Sequence, residues 1–525
     1  MVLFKEPNKR KVLYLLVLGL LIRLALAWLP QKYFYYLISD DAYYYFSIAK
    51  NLISRGMLSA DGITLTNGFH PLWLFVISPI YFFFQSSPWL SLHLVLTLSA
   101  FFDTAAASLI YKTLERLDKP TVGLWAAAFY LINPFGLEHT MNGLETAQNN
   151  FFLALLVFLS IKANSEWLKT GWAYLGTACG LALLSRTDNI FIAFIILAYL
   201  FLRDKNFKII AKTSIVAAVI VLPWLVYNLS TFGTIIQTSG TVYPFLYHQQ
   251  YLNEFKTYFS FSLIPYLLKL GFYSFTYNAF HYGNWILTLI LLGILFWQLR
   301  KDPKKYRPLL WTLFGAGLFI AFHTFVRWSV RPWYPQAVFV LTLPVIALSL
   351  EKLNRYLIAL GMGTAFLLSG WWVWKEPFRI ADRSPVMLEI IKRTPASDRV
   401  GAFNSGYLQY FTDQKVINLD GLVNNEVLSY YRQKRGLDYF RQKNIRWLVD
   451  TRTYLRGVFG PYFGAQAESS LSVIHDYSDA LFPGNSIMVA RVLPESLRPP
   501  AGRALQIDRS WAAHRQWGKL PFFFE

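Results

Sequence analysis

Cysteine is nearly absent: one residue, Cys179, among 525. An intramolecular disulfide is therefore excluded, and so are zinc sites built from cysteine pairs. Charge is scarce too, at 15% of residues against 55% hydrophobic and 18% aromatic. With a mean hydropathy of +0.34, the chain is too apolar for a water-soluble enzyme of this length. Missing as well are a glycine loop ending in lysine, a GxGxxG turn after a strand and an HExxH helix. Nucleotide, dinucleotide and zinc-peptidase chemistries thus have no residues to work with, and the energy for any reaction must come from the substrate itself. No internal repeat or low-complexity linker is evident.

What is present is a series of apolar runs between positions 12 and 374. Each is about 15 to 23 residues long, near the length that crosses a hydrocarbon core of about 30 Å. Beyond position 374 the texture changes to mixed charge and alternation, with strand-like "RVGAFNS", "KVINL" and "IRWLVD" beside helix-like "NEVLSYYRQKR" and "GLDYFRQK". The expected fold is a polytopic α-helical membrane protein over residues 1–374, followed by a soluble α/β domain over 375–525.

The net charge of +20 does not read as nucleic-acid binding, because the basic residues sit in short loops between apolar runs. Lys5 to Lys11, Lys205 to Lys212, Arg300 to Arg307, and Lys352 with Arg355 mark the cytoplasmic side by the positive-inside rule. The first run has a signal-peptide look, but Arg23 inside it and Trp28 after Ala25-Leu26-Ala27 favour an uncleaved first helix at 12–29. Spans then follow at 148–163, 172–185, 189–203, 209–227, 284–300, 309–325, 336–350 and 356–374, and the soluble tail comes out extracytoplasmic. The region 71–111 offers two segments where the charge rule allows one net crossing. The total is about eleven net crossings from about 11–13 helices.

The unusual polar residues collect on the outer side. "SDDAYYYFSIAKNL" places Asp40 and Asp41 at the start of an amphipathic helix, with Tyr44, Ile48 and Leu52 on one face and Ser47, Lys50, Asn51 and Arg55 on the other. Helix capping by Ser39 and the two acids explains the same pattern. "TNGFHPLW" offers His70 beside a helix-opening Pro71, either structural or a phosphate ligand. "HTMNGLETAQNN" puts Glu145 at the mouth of an apolar helix, where a carboxylate is costly. "SRTDN" brings Arg186 and Asp188 to a turn, where mutual pairing is the simpler reading. The outer loop 228–280 carries "TFGTIIQTSGTVYP" and has the length to cover a site. "FHTFVRWSVRPWYP" adds His323, Arg327, Arg331 and Tyr334; arginines there suit an anionic head group or snorkel from an aromatic belt. Carboxylates and arginines around one cavity at the membrane edge are the kit for reacting an anionic, lipid-borne group.

Those segments, with "NGFHPLW", "NGLETA", "RTD", "PWLVYNLSTFG" and "RPWYP", resemble the GT-C glycosyltransferases, which take sugars from polyprenyl-phosphate donors. The likeness is to bacterial aminoarabinose, mannosyl and arabinofuranosyl transferases. "NLDGLVN" at 418–424 also resembles a segment of such proteins, and Asp-Asp in place of Asp-Glu in the first loop leans toward the arabinofuranosyl branch. The resemblance implies an inverting transferase in the plasma (inner) membrane acting on a glycan, lipid or protein acceptor. It assigns the catalytic base to Asp40 or Asp41, with Asp40 favoured because the base stands first in the family's acidic pair. It also implies substrate contacts at His70, Glu145, Arg186, Asp188, Arg327, Arg331 and Tyr334. Some relatives hold a divalent metal, and Asp40, Asp41 and Glu145 would be the oxygen ligands for Mg, Mn or Ca. A lipid-linked sugar flippase is the alternative; it predicts polar residues at helix midpoints, whereas here they lie at helix ends.

Overall fold

The computed structural model describes residues 7–255, 264, 303–328, 331, 333–351, 355–375, 380–477 and 486–507. The span expected at 284–300 and most of the outer loop beyond 255 lie outside the described residues.

Helix α1 (Pro7–Ala27) is followed by the short α2 (Phe34–Leu37), bent from it by 96°. Then come α3 (Asp40–Arg55), α4 (Pro71–Phe84), α5 (Pro88–Arg116), α6 (Pro120–Ile132) and α7 (Pro134–Thr140). Proline opens each of α4 to α7, at a position where the missing N–H would have had no intrahelical partner. The two segments of region 71–111 are thus real but unequal. The 14 residues of α4 reach only about 21 Å at 1.5 Å per residue, short of a full crossing, while α5 has 29 residues. Helix α6 falls where no span is predicted from sequence.

The series continues with α8 (Thr146–Lys162), α9 (Ser165–Ser185), α10 (Ile190–Asp204), α11 (Phe207–Phe232), α12 (Val242–Phe255), α13 (Pro303–Ala321), α14 (Pro335–Ser349) and α15 (Arg355–Lys375). Among the described residues, 88–116, 207–232 and 306–326 are long and apolar enough to cross a membrane by length and composition, and the bent α1–α2 pair is a fourth. Helices α9 and α11 approach closely because Gly176 and Gly180, four apart, face α11. A Cβ at Gly176 would lie 2.6 Å from the Thr213 carbonyl oxygen, and one at Gly180 would lie 2.9 Å from Ile220 Cβ. Arg23, odd in an apolar helix, is fully buried and bonds Asp103 of α5 at 2.6 Å and the carbonyls of Gly19 and Leu131.

The C-terminal part is α/β. Strands β1 (Arg399–Ala402), β2 (Val416–Asn418), β3 (Ile445–Thr451), β4 (Leu471–Asp476) and β5 (Ile487–Val492) form one sheet in the order β2-β1-β3-β5-β4. The first three are mutually parallel and the last two antiparallel additions. The carboxyl ends of β1 and β2 lead into residues 403–407 and 419–425, the crevice where α/β sheets usually present their functional loops. Here those loops meet the membrane domain. Helix α16 (Ile380–Lys392) precedes the sheet and α17 (Gly406–Phe411) follows β1.

Helix α3 is covered on more than its apolar face. Nine of its residues are buried, Ser47 of the expected polar face among them. The C-terminal domain covers part of it: Tyr407, Tyr410 and Phe411 pack edge-on or tilted against Tyr43 with ring centroids 5.3 to 5.8 Å apart. A hydrophobic core continues from Trp73 and Leu96 through Phe46 to Leu408 and Val449, so the two parts share one interior.

Candidate active site

Consecutive residues on a helix point about 100° apart, and at the start of α3 that rotation separates the two aspartates. Asp40 turns to the C-terminal domain: its carboxylate accepts the backbone N–H of Gly406 at 3.0 Å and of Tyr407 at 2.9 Å. It is 7% exposed, and burial pushes its pKa up to about 7 against the pull of the Tyr407 N–H, with Asp41 adding to the rise. Ser39 makes no cap hydrogen bond, so simple capping does not account for the pair. Asp41 lines a cavity of about 840 Å³ and, among the described residues, accepts no hydrogen bond. Burial raises its pKa, Arg331 opposes that, and Glu145 adds to it.

The cavity has two ends. Toward the membrane it is walled by Cys179 and Leu183 of α9, Ile190, Ala193, Phe194 and Leu197 of α10, and Ala217, Val221 and Leu225 of α11. Toward water it is walled by Asp41, Tyr44, Tyr45, His70, Glu145, Arg186, Asp188, Arg327, Arg331 and Tyr334. Nearly every residue singled out in the sequence is brought together there. Asp40 is the exception, and His323 lies just behind.

Most of these side chains are committed to one another. Arg186 bonds Glu145 at 2.7 Å and grips Asp188 with both edges of its fork, Nε at 3.0 Å and Nη2 at 2.7 Å. His323 Nε2 lies 3.0 Å from the same Asp188. Burial alone would raise Asp188, but Arg186 and His323 hold it well below the usual carboxylate range. Glu145 also accepts from Tyr45 at 3.0 Å, and Tyr45 in turn accepts the His70 backbone N–H at 3.0 Å. Burial pushes the His70 imidazole down to about 4, overriding Glu145 3.7 Å away. His70 is therefore neutral at pH 7, and its approach to Glu145 is not a salt bridge.

Two cations are differently placed. Arg327 makes only long contacts, 3.5 Å to the Tyr334 hydroxyl and 3.4 Å to the Ser239 carbonyl. Arg331 lies over the Tyr243 ring at 3.6 Å. Neither is in an ion pair among the described residues. Both line the cavity.

The roof comes from three distant segments that meet at Asn67. Its side-chain oxygen accepts Thr238 N–H at 3.0 Å and Asn425 Nδ2 at 2.8 Å, and its amide donates to the Ile236 carbonyl at 3.3 Å. Thr238 donates to the Gly421 carbonyl at 3.0 Å. Gly421 has φ +86°, a region that disfavours a side chain. At Gly68 a Cβ would fall 1.8 Å from the Leu422 carbonyl oxygen, so the first outer loop and the C-terminal domain touch backbone to backbone. Leu422 reaches the cavity wall. Asp420 bonds Leu422 N–H and receives Tyr44 OH at 3.2 Å; burial pushes it well above the usual carboxylate range, and the Asp41 charge adds to the rise.

The metal set expected at Asp40, Asp41 and Glu145 does not fit. Asp40 is occupied by backbone N–H groups and Glu145 by Arg186 and Tyr45. Among the described residues no three His, Cys, Asp or Glu side chains converge as metal ligands. No site role was read from the sequence for Tyr44, Tyr45, Asn67 or Asp420, although all four lie in segments that carry the resemblance, "SDDAYYYFSIAKNL", "NGFHPLW" and "NLDGLVN".

Residues 71–227 match the family model for dolichyl-phosphate-mannose-protein mannosyltransferase, and residues 378–505 match one described as a domain of unknown function (DUF8728). No curated protein matches the sequence. Among solved structures, the chain is similar to ArnT from Cupriavidus metallidurans bound to undecaprenyl phosphate, at 12% identity and TM-score 0.57 over 93% of this chain and 99% of that one. It is also similar to the Archaeoglobus fulgidus oligosaccharyltransferase crystallised with Zn and sulfate, at 15% identity and TM-score 0.54 over 90% and 74%. A complex of the same archaeal enzyme with an inhibitory peptide and a dolichol-phosphate matches at 13% identity and TM-score 0.52 over 93% and 75%. The chain is thus a multi-pass membrane protein with the GT-C fold.

Proposed function

We propose that this protein is an inverting glycosyltransferase that moves a sugar from a polyprenyl-phosphate donor to an acceptor hydroxyl or amide at the extracytoplasmic face of the plasma (inner) membrane. One observation carries the reading: a cavity joins an apolar trough between α9, α10 and α11 to a polar head holding a carboxylate and two arginines that, among the described residues, are in no ion pair. The polyprenyl chain lies in the trough and its phosphate between Arg327 and Arg331. Asp41, not Asp40, takes the proton from the acceptor as the acceptor atom bonds the anomeric carbon and the bond from that carbon to the phosphate oxygen breaks. The electron pair leaves with the polyprenyl phosphate, where the two guanidiniums balance it. Arg186, neutralised by Glu145 and Asp188, shapes the head rather than binding charge.

The flippase reading is less well supported, since the polar groups gather at one end of the cavity and not at helix midpoints. The test is transfer of radiolabelled sugar by purified protein from a panel of polyprenyl-phosphate sugars to extracted envelope acceptors. Label reaching an acceptor from one donor is the expected result. No transfer from any donor, together with redistribution of a labelled lipid between the leaflets of reconstituted vesicles, would replace this reading with the flippase.

A further inference from the structure

We propose that Asp40 is a positioning residue: it holds the C-terminal domain against α3 so that the domain's Asp420–Leu422 turn closes the cavity beside Asp41. The proposal rests on the glycosyltransferase reading for its catalytic consequence, though not for the docking itself. Both oxygens of Asp40 are used, one on each of two successive backbone N–H groups 366 and 367 residues away. The contact is as close as backbone allows, since a Cβ at Gly406 would lie 2.2 Å from the Asp40 carbonyl oxygen. Four residues along α3, Tyr44 extends the same seam. Its hydroxyl accepts Asn418 Nδ2 at 2.9 Å and lies 3.1 Å from the Phe403 carbonyl and 3.2 Å from Asp420. The seam therefore starts at Asp40, runs through Tyr44 to Asn418 and Asp420, and ends at Leu422 in the cavity wall. On its far side Asn67 and Asn425 tie the turn to the first outer loop. Adjacent acids at the head of α3 thus divide two tasks: Asp41 faces the reacting atoms and Asp40 places the wall opposite them.

The test uses the full chain in nanodiscs, comparing wild type with Asp40→Asn, Gly406→Ala and Gly68→Ala. Asp40→Asn turns an amide NH₂ toward a backbone N–H; the two glycine variants force the seam apart from either side with every carboxylate kept, although a Cβ at Gly406 would also come 3.1 Å from Asp40 Oδ2. Hydrogen exchange at Gly406 and Tyr407 should accelerate by about tenfold or more in Asp40→Asn and Gly406→Ala, with exchange in α8 unchanged. Binding of labelled undecaprenyl phosphate should stay within about threefold, and the envelope-acceptor KM should rise about tenfold in all three variants while kcat holds within about threefold. Unchanged exchange at Gly406 and Tyr407 in Asp40→Asn would overturn the docking role. Loss of kcat with KM intact would make Asp40 part of the chemistry instead. If wild type transfers sugar from no donor, the glycosyltransferase reading fails, while the exchange data still decide whether Asp40 docks the domain.

Discussion

The two ends of the cavity are built on different principles. The membrane end is made by three helices close in sequence, α9 to α11, packed through Gly176 and Gly180 and lined by aliphatic side chains. The water end is assembled from the first outer loop, the Glu145 and Arg186 turns, the Thr238 segment, the Arg327–Tyr334 segment and a turn of the C-terminal domain. An apolar trough tolerates changes of shape, because polyprenyl units are repetitive and non-directional contacts accommodate them. A polar head depends on fixed donors and acceptors, and each committed partner that is removed leaves a buried group unsatisfied. Mutations at the two ends should therefore differ in kind as well as in size.

The largest effect is expected at the uncommitted carboxylate. Asp41→Asn should lower kcat by about 10²–10⁴-fold, the span of a lost general base, while labelled polyprenyl phosphate still binds. Loss of binding along with kcat would mean that the residue holds the head together rather than acting in it. Next is the committed cluster. Asp188→Ala removes one of the two acids that pair with buried Arg186, leaving Glu145 alone to hold it, and should cost about 3 kcal/mol, read as a fall in thermal unfolding temperature. A stability change near zero would show that Arg186 is free to serve substrate.

Arg331→Gln should reduce kcat/KM by about 10²-fold, in the range for loss of one charge-stabilising donor. It also sharpens a pH test. The base must be ionised to act, so activity rises with pH through the Asp41 titration. Burial raises that titration and Glu145 adds to it, while Arg331 opposes both. The acid limb of wild-type kcat/KM is therefore expected above the ordinary carboxylate range, and Arg331→Gln should move it further up; a downward move would contradict the placement of Arg331 beside Asp41. The smallest effect belongs to the trough. Ala193→Leu should raise donor KM by about threefold through crowding, with acceptor KM unchanged.

The same contrast decides what could be read from sequence. Hydropathy and loop charge located several described helices to within two residues, because those signals are local: 148–163 became Thr146–Lys162, 336–350 became Pro335–Ser349 and 356–374 became Arg355–Lys375, while 172–185 became the longer Ser165–Ser185. The missed α6 is only 13 residues, short for a span. The polar head was legible as a list of residue types on one side of the membrane. Its division of labour was not, since the fate of Asp40 depends on a backbone 366 residues distant. For the same reason α3 reads as simply amphipathic, although Ser47 of its expected polar face is buried.

The most direct test of a lipid phosphate seated across both ends is a structure of the protein in nanodiscs with undecaprenyl phosphate bound. The phosphate is expected between Arg327 and Arg331, within reach of Asp41, and the first isoprene units between α9, α10 and α11. A phosphate held instead by Arg186, or a chain leaving the cavity by another face, would contradict it.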